Sequence, residues 1–219
     1  MRFSIIILLF FPFLMLAQDI KIEHLSDAIN SYGSESNFVQ IDEKTAYFTS
    51  STLEDEKYQS VIFSTIFKEG SWQKGKYINL GKSYSSANVN FPKNEPSFYF
   101  SICDQQGNCE IAFRDYKKQI TENLNNNINL INSTNTQPHV VLHDKQKVMY
   151  FVSDRKGGYG GMDIWLSIID KNGNFGIPIN AGLKINSKHD EITPFFNELE
   201  EELYFSSNRN NGLGGFDIY

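Results

Sequence analysis

The dipeptide Tyr-Phe occurs four times at nearly equal spacing, and this repeat constrains the fold of the chain more than any other feature. The copies begin at Tyr47, Tyr99, Tyr150 and Tyr204, in steps of 52, 51 and 54 residues. A serine follows each copy within two residues. A fixed period of this size is typical of repeat architectures, in which each unit is one supersecondary element that stacks on its neighbours.

Each repeat has the same internal order of short strand-like runs. An apolar pair precedes the Tyr-Phe strand, and a third strand and an outer strand follow it. The runs are rich in Tyr, Phe, Ile and Val and are bounded by Gly, Asn and Asp, which is the pattern of strands and hairpins. Four antiparallel strands per unit at this length predict an all-β fold, a β-propeller with about four blades. The predicted units lie near 36–80, 88–130, 138–182 and 192–219.

The triplet Ile-Asn-Ser marks the crossover between blades, because it precedes the apolar pair of a unit at 29–31, 131–133 and 185–187. Its first copy has no blade before it, whereas the last unit has no outer strand of its own. Two interpretations stay open. The chain forms a four-bladed ring closed by residues 19–31, or it is the first part of a larger propeller. The sequence favours the second, since an open sheet edge is a pairing liability.

The last two repeats carry a specific motif, "YFVSDRKGGYGGMDIW" at 150–165 and "YFSSNRNNGLGGFDIY" at 204–219. It resembles the WD-like (PD40-like) propeller repeat of TolB-type and related Gram-negative envelope proteins. Weaker copies lie at 99–113 and 47–63, so that the resemblance covers about 36–219. It implies an exported, non-catalytic binding or scaffold module of the envelope, whose partner is a protein, a glycan or a peptidoglycan-associated component.

The repeated turn contains the candidate site residues. Asp163 and Asp217 begin the third strand, and we expect these Asp side chains and the neighbouring Arg side chains to pair with backbone amides and with each other. The alternative is a Ca²⁺ site ringed by Asp154 and Asp163, although the ligand spacing of an EF-hand is absent; no other cofactor is predicted. The motif residues are Asp154, Arg155, Gly160, Gly161, Asp163, Asn208, Arg209, Gly214, Gly215 and Asp217. Its glycines, Gly157, Gly158, Gly160, Gly161, Gly212, Gly214 and Gly215, are predicted to provide positive φ.

The N-terminus predicts export. Residues 1–17 combine Arg2 with an apolar run that is too short for a membrane span of about 20 residues, as in a secretory signal peptide. The propeller then occupies 18–219, in the periplasm, at the outer-membrane periphery, on the cell surface or in the medium, with no membrane span after cleavage. An uncleaved N-terminal anchor is the alternative.

Two further features limit the chemistry. Cys103 and Cys109 flank a five-residue turn between strand-like runs, which in an exported protein predicts a disulfide across the hairpin. The net charge is −6 and no basic stripe occurs, which argues against a nucleic-acid partner.

No sequence motif indicates catalysis, because no nucleophile elbow, P-loop or zinc-protease motif is present. His139 and His143 are expected to be polar strand residues, and the "KHDE" run at 188–191 a solvated crossover. Three aromatic residues are expected to contact a partner or to pack between blades: Tyr159, Trp72 and Phe175. The chain is therefore predicted not to be an enzyme. The alternatives are a carbohydrate-active lyase or hydrolase with its site in the propeller funnel, and the propeller part of an exported peptidase.

Overall fold

The computed structural model describes residues 24–54, 57–80, 85–93, 95, 97–115, 120–123, 135–143 and 145–219. Within these ranges all regular secondary structure is β-strand. No helix in them is long and apolar enough to cross a membrane. The predicted signal peptide and the second Ile-Asn-Ser triplet lie outside the described residues.

The described residues form four antiparallel sheets that follow one another along the chain. The first contains β1 (Ser34–Gln40), β2 (Thr45–Glu54), β3 (Lys57–Lys68), β4 (Ser71–Trp72) and β5 (Lys76–Tyr77). The second contains β6 (Ser85–Asn90), β7 (Ser97–Cys103), β8 (Cys109–Asp115) and β9 (Ile120–Asn123). The third contains β10 (Asn135–His143), β11 (Gln146–Ser153), β12 (Asp163–Ile169) and β13 (Ile179–Asn180). The fourth contains β14 (Glu191–Asn197), β15 (Glu202–Ser207) and β16 (Asp217–Ile218).

The Tyr-Phe dipeptides lie in the second strand of each sheet, and the reason for the repeat is burial on both sheet faces. Neighbouring strand residues point to opposite faces. Yet Tyr150 and Phe151 are 4% and 0% exposed, and Tyr47 and Phe48 are also buried. The third blade therefore packs on a neighbour with both faces, which requires apolar residues at consecutive positions.

Three apolar clusters join the successive sheets. The cluster between the first and second sheets contains Tyr47, Ile62, Leu80, Val89, Phe98, Phe100 and Ala112. The next contains Tyr99, Ile111, Val140, Met149, Phe151, Trp165, Ile169 and Phe175. The last contains Val141, Val148, Tyr150, Ile164, Phe196 and Phe205. Face-to-face packing of successive antiparallel sheets of about four strands is the β-propeller architecture, and the predicted fold class is confirmed.

The arc of sheets is open in the part of the chain that the structure describes. No described strand of the first sheet contacts a strand of the fourth. Residues 24–33 add no strand to the fourth sheet, and residues 19–23 of the proposed closing segment lie outside the described residues.

The predicted disulfide is confirmed. Cys103 ends β7 and Cys109 begins β8, and the two are paired in the register of the hairpin. Their sulfur atoms are bonded, with the Cα atoms 4.1 Å apart.

Candidate functional site

A cavity of ≈ 370 Å³ lies where the first strands of all four sheets meet. This central cavity is the funnel of the propeller arc, because each sheet contributes its innermost strand to the wall. The lining residues are Asn37, Val39, Asn88, Val89, Asn90, Phe91, Gln137, Pro138, His139, Thr193, Pro194 and Phe195.

A β-bulge at the same place in each innermost strand shapes the wall of the central cavity. The pairing register shifts between Ser36 and Val39 in β1, and it shifts at the corresponding points of β6, β10 and β14. One residue in each bulge has a positive φ between 51° and 57°: Asn37, Asn88, Gln137 and Thr193. Such bulges re-aim a side chain and expose backbone groups, and they are common next to functional sites.

The bulges are held by hydrogen bonds from one blade to the blade before it. The Asn88 amide donates to Thr49 Oγ1 at 3.3 Å, and the Gln137 amide donates to Ser101 Oγ at 2.9 Å. Both acceptors directly follow a Tyr-Phe dipeptide. The third repeat has Val152 there, which offers no hydroxyl. The Thr193 amide instead donates to Gln137 Oε1 at 2.6 Å.

The wall of the central cavity combines polar side chains with apolar ones. Its wall carries the side-chain amides of Asn and Gln, which both donate and accept hydrogen bonds, together with Phe91 and Phe195. Phe195 is 54% exposed, so an aromatic face is available to a ligand. No Asp, Glu, Lys or Arg is among the lining residues that the structure describes.

His139 is the titratable residue of this wall. Asn90 Oδ1 accepts from the Val140 amide at 2.8 Å, which leaves Asn90 Nδ2 to donate to His139 Nδ1 at 3.1 Å. His139 Nε2 then faces the Phe196 carbonyl oxygen at 3.4 Å, an arrangement that fits a neutral ring with its proton on Nε2. Burial lowers the pKa of His139 from 6.5, against the opposing effects of the Phe196 carbonyl and the Glu198 charge.

We expect the free energy of unfolding to fall as the pH falls below about 6.5. The folded chain holds His139 with a lowered pKa, so the unfolded chain takes up the proton first, and the stability present above pH 6.5 is lost as His139 becomes charged. Urea denaturation from about pH 8 to about pH 5 measures this, because His is the side chain that titrates in that range. His139→Gln is expected to flatten the profile, whereas His24→Gln at an exposed position is not. Equal slopes for the two variants would contradict the assignment.

His143 lies in β10, as predicted for a polar strand residue, and two of the three predicted aromatic contact residues lie in packed positions. His143 Nδ1 is 2.6 Å from the Tyr150 hydroxyl, and the His143 ring stacks on Phe196 at 4.3 Å. Phe175 is buried in the core, and Trp72 is half-buried. Of the three predicted aromatic residues, Tyr159 is the exposed one, at 47%.

Asp163 organises the repeated turn. Its carboxylate is buried and accepts hydrogen bonds from the backbone amides of Tyr159 at 2.5 Å and Gly160 at 3.1 Å, and from Asn180 Nδ2 at 2.9 Å. Asp217 accepts in the same way from the Leu213 amide at 2.7 Å. These oxygens are directed at their own turn. The described residues contain no group of three or more side chains able to hold a metal ion.

The role predicted for the glycines is wrong for most of them. Of the seven, Gly157 alone has a positive φ, at 95°. Gly160 and Gly161 are required for close approach instead. A Cβ on Gly160 would lie 2.7 Å from the Ser187 carbonyl oxygen and nearer still to that of His189, and one on Gly161 would collide with the Asp190 carboxylate.

The sequence predicts pairing between the motif Arg and Asp side chains, and the structure shows contacts of the Arg side chains with aromatic rings. Arg155 lies over the rings of Phe151 and Trp165, 5.0 and 5.1 Å from their centroids, and its Nε donates to Ser153 Oγ. Burial lowers the pKa of Arg155 to about 10, and the charge of the exposed Asp154 opposes that shift. The Arg side chains thus close the end of the second strand in contact with aromatic rings, as Arg209 does with Phe205 and Tyr219.

The prediction that 188–191 forms a solvated crossover is wrong for Glu191. Its side chain is fully buried, and its carboxylate accepts from the Ser187 amide at 2.7 Å, from Ser187 Oγ at 2.6 Å and from Ser207 Oγ at 2.7 Å. Arg209 Nη2 completes the set at 3.1 Å. Buried carboxylates require such partners, and these come from three separate parts of the repeat.

Comparisons with known proteins agree with the propeller architecture. No protein-family model matches the chain, and no curated protein matches it by sequence. The fold is similar to that of a thermostable family-43 glycoside hydrolase, with 14% identity, a TM-score of 0.54 and coverage of 90% of this chain and 75% of that one. The fold is also similar to that of an endo-arabinase from Bacteroides thetaiotaomicron, with 16% identity, a TM-score of 0.54 and coverage of 83% of this chain and 72% of that one. TolB from Acinetobacter baumannii has 13% identity to this chain and a TM-score of 0.49, and the match covers 41% of the TolB chain.

These comparisons correct the expectation that the chain is not an enzyme. The two structures with TM-scores of 0.54 are both glycoside-processing enzymes, which contradicts that prediction. Identities of 14% and 16% show the propeller fold alone. The specific WD-like repeat assignment stays a prediction, since no family model matches.

Proposed function

We propose that the chain is a carbohydrate-active propeller that binds a neutral glycan in the central cavity. The observation that carries the proposal is the wall itself: side-chain amides from three blades surround the cavity, and Phe195 offers an exposed ring. Sugar hydroxyls donate and accept hydrogen bonds as amides do, while the C–H face of a sugar packs on an aromatic ring. A concave site with a few convergent polar groups is the usual form of a ligand site.

The fold comparisons support the carbohydrate class. The name of the endo-arabinase indicates an arabinan substrate for that protein, so arabino-oligosaccharides are the first probes for this chain. The absence of charged groups from the described lining residues favours neutral sugars over uronic acids or phosphorylated ligands, because a cavity without a cation offers an anion no partner for its charge.

Hydrolysis of a glycosidic bond requires two carboxyl groups. Glu198 is our candidate for one of them: it is not among the described lining residues, but it directly follows the inner strand β14, and its charge opposes the lowering of the pKa of His139 in the cavity wall. Glu198 lies in the turn between β14 and β15, beside the inner strand that carries Phe195. The second carboxyl group is not assigned.

Isothermal titration with arabinotriose tests the binding site. Phe195→Ala is expected to weaken binding at least about tenfold, since it removes the ring on which the sugar packs. Phe216→Ala is the matched control, because Phe216 is an aromatic residue of the same blade with 50% exposure and lies outside the cavity. Equal losses in the two variants, or no binding by the unaltered chain, would refute the proposed site.

A second pair of variants tests the amides. Asn37→Gly removes an amide from the wall and retains a residue that tolerates the positive φ of 51°. Glu69→Gly makes the same kind of change at a φ of 54°, in a hairpin outside the cavity. We expect the first to weaken arabinotriose binding and the second to leave it unchanged.

Release of reducing sugar from arabinan tests the enzymatic part separately. Glu198→Gln is expected to reduce product release while arabinotriose still binds, and Glu43→Gln, in the equivalent turn of the first blade, is expected to change neither. Binding without any product release would contradict catalysis and leave the glycan site intact.

We also propose that the chain is exported to the cell envelope, on the basis of residues 1–17. An envelope glycan or a peptidoglycan-associated component is the partner that fits both export and the central cavity. Cell fractionation with N-terminal sequencing of the isolated protein tests export, and a protein found in the cytoplasm with residue 1 intact would contradict it.

A further inference from the structure

The two copies of the repeated turn have the same sequence pattern but different surroundings. Gly160 and Gly161 of the third blade are covered by the crossover of the fourth, residues 185–190. Gly214 and Gly215 occupy the same positions in the fourth blade, and a Cβ on either would have no atom within 4 Å. Their glycine identity therefore has no steric reason within the described chain.

The third strands of these blades differ in the same way. Ile164 of β12 is fully buried, whereas Ile218, at the equivalent position of β16, is 78% exposed. The Ile164 side chain packs in the cluster between the third and fourth sheets, and Asn186 of the crossover holds its backbone. Asn186 Oδ1 accepts from the Ile164 amide at 2.8 Å, and its Nδ2 donates to the Ile164 carbonyl at 2.8 Å.

The crossover makes two further contacts with the third blade. The Met162 amide donates to Asp190 Oδ1 at 2.9 Å, and the Glu191 amide donates to the Met162 carbonyl at 2.7 Å. At the position equivalent to Met162, the fourth blade has Phe216, which is 50% exposed. A shallow cavity of ≈ 450 Å³ lies on the same blade, lined by Thr193, Phe195, Asn197, Glu200, Tyr204, Phe205, Ser206 and Ile218.

We infer that this open face, formed by residues 212–218 and the outer side of β14 and β15, binds the crossover and innermost strand of one further propeller blade. The occupant is a segment with the pattern Ile-Asn-Ser-x-x-Asp-Glu followed by an apolar strand. Its Asn side chain forms hydrogen bonds with the amide and the carbonyl of Ile218, and its Asp side chain accepts a hydrogen bond from the Phe216 amide. Its backbone crosses Gly214 and Gly215, where a side chain would block it. The open face borders the glycan site and shares Thr193 and Phe195 with it, but the inference does not rest on glycan binding.

The third blade provides the precedent, because its equivalent residues already bind the crossover at 185–190. Peptides recognise an exposed sheet edge through main-chain hydrogen bonds, and pockets for alternate side chains add specificity. Here the Asn side chain supplies the main-chain recognition, and the exposed Ile218 and Phe195 supply apolar area.

A fluorescent peptide with the sequence of residues 183–197 tests the inference with the full chain, by fluorescence anisotropy. The peptide contains the crossover that the third blade holds, and we expect it to bind the open face. Replacing its residues equivalent to Asn186 and Asp190 by Ala is expected to weaken binding at least about tenfold, as is Gly214→Val in the chain. Ser71→Val, an exposed position on the first blade, is the matched control.

Gly214→Val leaves the chain folded, because a Cβ there meets open space, and an unchanged melting temperature verifies this. Absence of peptide binding would overturn the inference. Equal binding to the Gly214→Val chain would also overturn it, since the peptide would then occupy the third blade by exchange. A cysteine pair at Ser31 and Leu213 that crosslinks within one chain would overturn it too, because the first crossover of the chain would then be the occupant.

Discussion

Glu191→Ala is expected to lower the free energy of unfolding by about 3–5 kcal/mol, the cost of removing one partner of a buried ion pair. The variant leaves the Arg209 guanidinium without its carboxylate and removes the acceptor for both the Ser187 amide and the Ser207 hydroxyl. These groups join the crossover, the second strand and the end of the turn. Urea denaturation followed by tryptophan fluorescence measures the loss.

Glu35 provides the matched control, because it occupies the same place in the first repeat. It accepts from the hydroxyls of Ser31 at 2.6 Å and Ser50 at 3.0 Å, but it is only half-buried. Glu35→Ala is therefore expected to cost about 1 kcal/mol, the usual value for a hydrogen bond that water can replace. Losses of equal size would show that burial and the Arg209 pair do not decide the role of Glu191.

Asp163→Ala is expected to cost about 3 kcal/mol, because three donors aimed at a buried carboxylate lose their acceptor. Two of them are backbone amides in a turn that is also pressed against the next blade at Gly160. The turn therefore cannot open to water without separating the third and fourth blades. Thermal unfolding monitored by circular dichroism measures the change.

Asp217→Ala makes the same change where the turn is open to solvent. Asp217 accepts from the Leu213 amide at 2.7 Å and from the Gly214 amide at 3.3 Å, and no other blade in the described part of the chain covers Gly214 or Gly215. We expect this variant to lower the free energy of unfolding by about 1 kcal/mol, since water can replace these hydrogen bonds. A larger loss at Asp217 than at Asp163 would contradict the view that contact with the next blade makes the motif important.

The architecture could be predicted because its signals are local. A few neighbouring residues are enough to predict each Tyr-Phe strand, each Gly-rich turn and the hairpin that brings Cys103 to Cys109. The third-strand run at 163–169 coincides with β12 as the structure has it. Strand patterns repeated at a fixed period leave few alternatives to a propeller.

The candidate site could not be predicted in this way, because its residues come together only after the blades are in register. The bulges at Asn37 and Thr193 shift the register of their strands, and a one-residue shift moves a side chain to the other face. The signal available in the sequence is a polar residue 10 to 13 residues before the Tyr-Phe dipeptide of each repeat. The burial of Glu191 was missed for a related reason, since its partners Ser207 and Arg209 follow it by 16 and 18 residues and reach it only when the strands pair.

A crystal structure of the chain with bound arabinotriose tests the proposed glycan site by direct observation. We expect the sugar in the central cavity, with one ring packed on Phe195 and hydroxyls hydrogen-bonded to the amide side chains of Asn88 and Gln137. A trisaccharide bound elsewhere on the chain, with the cavity between the four innermost strands left unoccupied, would contradict it.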